Sequence, residues 1–376
     1  MRAKRVLFWL ITLAIPLGFL EMLGFATTRL MPELFDRREA FLSSLRLDEF
    51  ELFREAFASR PLGWDNPVAA KRRASNCANV EITYTYDEDR LRIHDGPPAR
   101  DAAVLVAGDS YTEGAEVADG ETFPATLQRI LGVPVANLGV GGYGPDQALL
   151  KLEGLIDRFP HARVLVLAIT YRDALRMLNS YRPILVESTG IRFGLKPYVR
   201  EGAFMPIPGR DPYRDFSSML AAADSAFDHD FWRRPRPRFP YSVAIVNAVL
   251  SPSIWYPAVN RLLTSFGWPS ERLAYTLPPV RHGLRAVYSR VAELAQARKL
   301  AAVIAFIPFN GADRTSGEIA ISDATEAQRR AIAFLNVGSD FDWAHFNGPT
   351  CHPNADGYRM IAADIARAVR PLLGAP

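Results

Sequence analysis

The sequence predicts an α/β fold, a doubly wound and mostly parallel sheet covered by helices on both faces. Three observations predict it. Val104–Ala107, Arg163–Thr170 and Ala301–Ile307 are short, unbroken apolar runs, the pattern of parallel strands buried on both faces. Amphipathic stretches at helical spacing alternate with them, as in βαβ units. Each run ends in a polar or glycine-containing turn, at the strand end where open α/β sheets place their chemistry.

Taken in order, residues 30–100 precede the first of these strands. Leu45–Phe57 reads as an amphipathic helix, and Val80–Tyr86 and Arg90–Ile93 alternate as edge strands or a hairpin; packing and spacing are the roles they suggest. After the strand Val104–Ala107, Thr122–Leu131 is helical with Pro124 in its first turn, where a missing N–H costs nothing. Val133–Asn137 is a second strand, and Pro145–Phe159 a helix with Ala148, Leu149, Leu152, Leu155, Ile156 and Phe159 on one face. Arg163–Thr170 is the third strand. Over residues 174–280 the pattern stops: prolines and aromatics crowd together, and Arg233-Arg234-Pro235-Arg236-Pro237-Arg238 is a basic run. This reads as an insertion of long ordered loops near the crevice, with the basic run as a solvated loop. Leu284–Leu300 resumes as a helix and Ala301–Ile307 as a strand. Glu326–Phe334 is helical, Phe334–Val337 a short strand and Asp356–Leu373 a closing amphipathic helix.

The bulk numbers bound the function. With 376 residues the chain is long enough for a large core. A net charge of +3 at this length gives no general argument for nucleic-acid binding, and none is expected. Met1-Arg2-Ala3-Lys4-Arg5 is basic, and Val6–Leu20 is almost wholly apolar, as is Met22–Ala26 after Glu21. Residues 6–28 are long enough to span a bilayer, with Glu21 near the far interface. A cleaved signal peptide is the alternative; the absence of a strong small-x-small site favours an anchor. The positive-inside rule then leaves the basic end in the cytoplasm and the main domain outside the cytoplasmic membrane, in the periplasm. The expected organisation is a basic end and anchor over 1–29, a preceding segment over 30–100, and a main domain over 101–376 with its insertion. Cys77 and Cys351, the two cysteines of the chain, are expected to pair in an oxidising compartment, tying a histidine-bearing loop to the segment before the first strand.

Chemistry converges at the strand ends. Ser110 follows the first strand, in the turn Gly108-Asp109-Ser110. Glycines fill the loop Gly139–Gly144 after the second, and Thr170-Tyr171-Arg172-Asp173 ends the third. A serine nucleophile needs a base and oxyanion donors; His352 offers the first and the glycine loop the second. The six histidines show no metal-ligand spacing, and no metal or other cofactor is expected.

In combination these stretches resemble the SGNH (GDSL-type) hydrolases, in particular membrane-anchored bacterial members. Gly108-Asp109-Ser110-x-Thr112-x-Gly114 is similar to their first block, Asn137-x-Gly139-x-x-Gly142 to the second and His352-Pro353-Asn354-Ala355-x-Gly357 to the last. The resemblance covers about residues 103–173 and 284–370. It implies a three-layer α/β/α sandwich with about five parallel strands. It also implies that Ser110 is the nucleophile, that His352 is the base, and that the N–H groups of Ser110 and Gly142 form the oxyanion hole. Two positions depart from the pattern. Arg172 stands where the family's oxyanion asparagine belongs, and is expected to donate to the oxyanion, to turn to Asp173 or to bind substrate. Pro349 stands three residues before His352, where the family has an aspartate. Asp340 or Asp342 is then the candidate to orient His352 from upstream, the alternative being a backbone carbonyl and a Ser-His dyad, and Asp109 and Asp173 are expected to be structural. The implied activity is serine-dependent ester hydrolysis on O-acyl groups of a cell-surface carbohydrate or a lipid. Acyl transfer to a polysaccharide, or glycan or partner binding on an inactive fold, are the alternatives.

Overall fold

The computed structural model describes residues 2–94, 96, 99–185, 191–269, 271–308, 314–338, 341–348 and 351–374. The expected Asp340 and Pro349 lie outside these residues. Five parallel strands form the central sheet, β3 (Val104–Ala107), β4 (Val135–Asn137), β5 (Val164–Thr170), β6 (Ala301–Ile307) and β7 (Ile332–Asn336), in the spatial order β7-β6-β5-β3-β4. Val164 is level with Val104 on one side and Ala301 on the other. Before the sheet come α1 (Arg2–Leu30), α2 (Leu47–Ala56) and an antiparallel pair, β1 (Lys71–Ser75) with β2 (Glu81–Thr85).

The apolar runs are continuous because the sheet is covered twice. Val104, Val106, Val164, Val166, Val303 and Ala305 face α4 (Phe123–Leu131) and α11 (Ala355–Val369), packing with Phe123, Leu127, Ile361 and Ile365. The alternate residues Leu105, Leu165, Leu167, Ile304 and Phe306 face the other way, onto Leu149 and Leu152 of α5 (Pro145–Leu155) and Leu284, Val287 and Val291 of α10 (Pro278–Arg298). This is the expected three-layer sandwich.

Two regions differ from the sequence reading. Lys71–Ser75, not Arg90–Ile93, is the partner of β2; Arg92 makes only isolated bridges, to Tyr86 and Asn137. Residues 174–280 are not mainly loop. They contain α7 (Phe216–His229), α8 (Tyr241–Leu250) and α9 (Pro252–Ser265). Several prolines that read as breakers, Pro252 and Pro278 among them, occupy first helical turns, where proline is favoured. Among the described residues one helix, Lys4–Leu30, is by itself long and apolar enough to cross a membrane.

Candidate active site

The site is built on the turn that leaves β3. Gly108 is required by space: a Cβ there would lie 2.1 Å from the Thr112 hydroxyl and 2.7 Å from the Ala168 carbonyl. Asp109 caps the short helix α3 (Ser110–Glu113), its carboxylate accepting from the Tyr111 N–H at 2.9 Å. Ser110 thus enters at the first helical position, and Gly114 closes the turn in the left-handed region.

His352 meets Ser110 as the sequence predicts. It sits in the loop before α11, which Asn354 caps by accepting from the Gly357 N–H. Its Nε2 lies 2.9 Å from Ser110 Oγ. The carboxylate on its other side is Glu116, not Asp342: Glu116 Oε1 is 3.0 Å from His352 Nδ1. Asp342 pairs instead with His345, at 2.7 Å, and caps the single turn Trp343–His345.

Glu116 is held from every side. Its backbone is left-handed, with φ +68°, a sparsely populated region for a side chain of this size. The Glu116 N–H donates to Tyr84 Oη at 2.8 Å, and its carbonyl accepts from the amides of Asn76 and Asn347. Its carboxylate accepts from the Cys77 N–H and, at 3.2 Å, from the His352 N–H. Burial pushes the Glu116 carboxyl up, but these hydrogen bonds, His352 foremost, outweigh it and hold the group below the ordinary carboxylate value. Ionised Glu116 fixes the proton on Nδ1, which leaves the Nε2 lone pair for the serine hydroxyl. The Cys77–Cys351 disulfide, with a Cα–Cα distance of 6.3 Å, joins the residues next to Asn76 and His352. Residues 30–100 therefore do more than pack and space: they hold the acid.

The other carboxylates of the turn form a second network. Asp109 Oδ2 lies 3.4 Å from both Ser110 Oγ and Thr170 Oγ1, and Asp173 accepts from the Thr170 N–H at 3.2 Å. Burial and the charge of Asp109 hold Asp173 well above the usual carboxylate range, against the pull of Arg176. Arg176, one helical turn beyond Arg172, supplies the inward cation: it bonds Asp109 at 3.2 Å and the Tyr143 carbonyl at 3.0 Å, and pairs with Asp173. Arg172 is exposed at the start of this short helix (Asp173–Arg176), and Asp173 pairs with Arg176 rather than with it. Substituting Arg176 by Met leaves the buried carboxyl groups of Asp109 and Asp173 without their shared cation. A loss of about 3–5 kcal/mol is expected, read from denaturant unfolding. An unchanged midpoint would show that the network does not depend on this charge.

The glycine loop lies beside the serine turn, its Val140 N–H donating to the Gly108 carbonyl at 3.2 Å. Gly142 has φ +81°, and a Cβ there would press on Ile191. Among the described residues neither the Ser110 N–H nor the Gly142 N–H has an internal hydrogen-bond partner. Buried Arg182 lies beside Gly142, and among the described residues its Nε and Nη1 meet no acceptor. Burial, reinforced by the charge of Arg176, presses this guanidinium down to about 9. A cavity of about 280 Å³ adjoins the same loop at Gly141, lined by Phe53, Phe57, Trp64, Tyr86 and Ile191 among others.

The sequence reading missed Glu116, Arg176 and Arg182. Only the spacing of Arg176, four residues after Arg172, carried a signal, since it lies one helical turn further on.

No family model and no curated protein matches the chain. Among solved structures, it is similar to a lipolytic protein of the G-D-S-L family from Desulfitobacterium hafniense, at 12% identity over 70% of this chain and 97% of that one, with a TM-score of 0.32. It is also similar to a family two carbohydrate esterase from Clostridium thermocellum, at 10% identity and a TM-score of 0.30. A third is an acetyl xylan esterase from Butyrivibrio proteoclasticus, at 9% identity and a TM-score of 0.33; each of these two matches covers 75% of this chain and 67% of the other.

Proposed function

We propose that the protein is a serine-dependent ester hydrolase. The observation that carries this reading is the unbroken chain from Ser110 Oγ through His352 Nε2 and Nδ1 to Glu116, at 2.9 and 3.0 Å. In the proposed reaction His352 takes the Ser110 proton as Oγ attacks the acyl carbon, then returns it to the departing alcohol. Water, activated by the same imidazole, releases the acid. The N–H groups of Ser110 and Gly142 hold the oxyanion, and buried Arg182 adds positive potential where that charge develops. Arg172, at the mouth, contacts substrate or the oxyanion. The substrates proposed are O-acyl groups of a cell-surface carbohydrate or a lipid, with the cavity at Gly141 taking an apolar or sugar portion. The chain is anchored through residues 6–28, and its main domain lies on the far side of the cytoplasmic membrane. Acyl transfer to a polysaccharide uses the same serine and histidine; an acceptor sugar acylated only when donor and protein are both present distinguishes it from hydrolysis.

Treating the full chain with a fluorophosphonate probe and locating the adduct by peptide mass spectrometry tests the nucleophile. Ser110 is expected to be labelled, and labelling to vanish in Ser110→Ala and in His352→Ala. A folded wild-type protein that takes no label would overturn the hydrolase reading and leave glycan or partner binding.

A further inference from the structure

The basic run and the helix after it have no part in the chemistry above. Helix α8 packs against α1, at the end of α1 that leads into the main domain. Gly24 is the point of closest approach: a Cβ there would lie 2.8 Å from the Tyr241 backbone. The Glu21 carboxylate accepts from the N–H groups of Tyr241, at 2.6 Å, and Ser242, at 3.3 Å, and from the Ser242 hydroxyl. Phe25 meets the Tyr241 ring edge-on at 5.3 Å. From this contact α8 climbs away, seating Ala244 and Ala248 on Phe35, beyond the end of α1.

These contacts fix a height. At 1.5 Å per residue, about 20 residues fill a hydrocarbon core about 30 Å thick. A span that begins at Val6 therefore reaches the far boundary near Phe25, the level of Tyr241. At that level the surface is apolar and aromatic: Phe239 is 71% exposed and Val243 51%. Around it lies a groove of about 1110 Å³ lined by Arg233, Arg234, Arg236 and Arg238 together with Phe239, Val243 and Leu250. Arg38, also in the groove, is committed to Asp36, Asp224 and Asp228, and Arg236 reaches Asp228 at 3.5 Å. Arg233, Arg234 and Arg238 have no ion pair among the described residues. Aromatic side chains at a membrane boundary, with arginines beside them, meet the headgroup layer.

We propose that the tip of α8 is seated in the far leaflet beside α1, with Phe239 and Val243 at the acyl boundary, and that the arginine groove binds the phosphate of anionic phospholipids. This rests on the anchoring of α1 and goes beyond it, because it gives the main domain a second, fixed attachment to the bilayer. It assigns the basic run a lipid rather than bulk solvent as its neighbour.

The test uses the full chain in vesicles of phosphatidylcholine and phosphatidylglycerol, with nitroxides at Leu17→Cys, Phe239→Cys and Ser322→Cys. Oxygen and a nickel chelate report lipid and water exposure. Leu17 and Phe239 are expected to favour oxygen, and Ser322 the chelate. Spin-labelled phosphatidylglycerol is expected to be immobilised in preference to phosphatidylcholine, and the preference to fall at least about fivefold in the triple variant Arg234→Gln, Arg236→Gln, Arg238→Gln. A lipid-exposed Leu17 with a water-exposed Phe239 overturns the seating and leaves the anchor standing. Water exposure at Leu17 overturns the anchor and the seating with it. Equal immobilisation of the two lipids by the wild type overturns the phosphate site.

Discussion

Replacing Glu116 by Gln is expected to lower kcat by about 10⁴-fold with KM little changed, the scale of loss when a triad acid is made an amide. The reason is the tautomer. Ionised Glu116 only accepts, so His352 carries its proton on Nδ1, 3.0 Å away, and presents a bare Nε2 to Ser110. A Gln amide can donate to Nδ1, which moves the ring proton to Nε2 and leaves the serine without a base. With the Gln amide turned to Nδ1, its carbonyl at the Oε2 position still accepts from the Cys77 N–H, while the bond from the His352 N–H to the Oε1 position is lost, so thermal unfolding of the variant is measured beside its kinetics. Steady-state kinetics on a short acyl ester measures the effect. Near-wild-type turnover would rule Glu116 out as the orienting acid. The same carboxyl sets a pH limit. Its folded value is lowered from 4.5, so its contribution to stability is complete above that value and is lost as pH falls through the lower, folded one. Stability should therefore decline on the acid side of 4.5, read from unfolding at a series of pH values.

Removing the disulfide is expected to cost on the order of 5 kcal/mol, the upper figure that chain entropy gives for a loop of this length. The bond closes a separation of 274 residues. Cys77 is exposed, so reductant reaches it without unfolding the protein. Thermal unfolding of the Cys77→Ser, Cys351→Ser variant, and of the wild type with and without dithiothreitol, should show a melting temperature lower by on the order of 10 °C. Turnover should fall as well, since the bond adjoins both the backbone that bonds Glu116 and the loop that carries His352. A melting temperature indifferent to reductant would show that the bond adds no constraint.

The framework was legible because it is local. Strands buried on both faces write themselves as apolar runs, and β6 was read to the residue. The serine turn, the glycine loop and His352 are marked by side chains that few other places require. Glu116 carries no such mark. Its place depends on a left-handed backbone and on contacts from Asn76, Cys77, Tyr84 and Asn347, which only the closed fold brings together. With Pro349 three residues before the histidine, the search for an acid turned to Asp340 and Asp342, close upstream of His352, and so away from Glu116. Arg176 was hidden differently: Arg172 occupies the expected position, yet it is the residue one turn on that bonds Asp109 and pairs with Asp173. The helices of residues 174–280 were hidden by prolines at their starts.

The left-handed Glu116 also bears on when the site comes into being. The serine turn is closed by contacts within a few residues and can form early in folding. The acid and base wait for segments far apart in the chain, around residues 76–84 and 345–354, to arrive and for a bond between them to oxidise. The Ser110 turn is thus complete before the Ser110–His352–Glu116 chain, whose contacts span more than 230 residues of sequence.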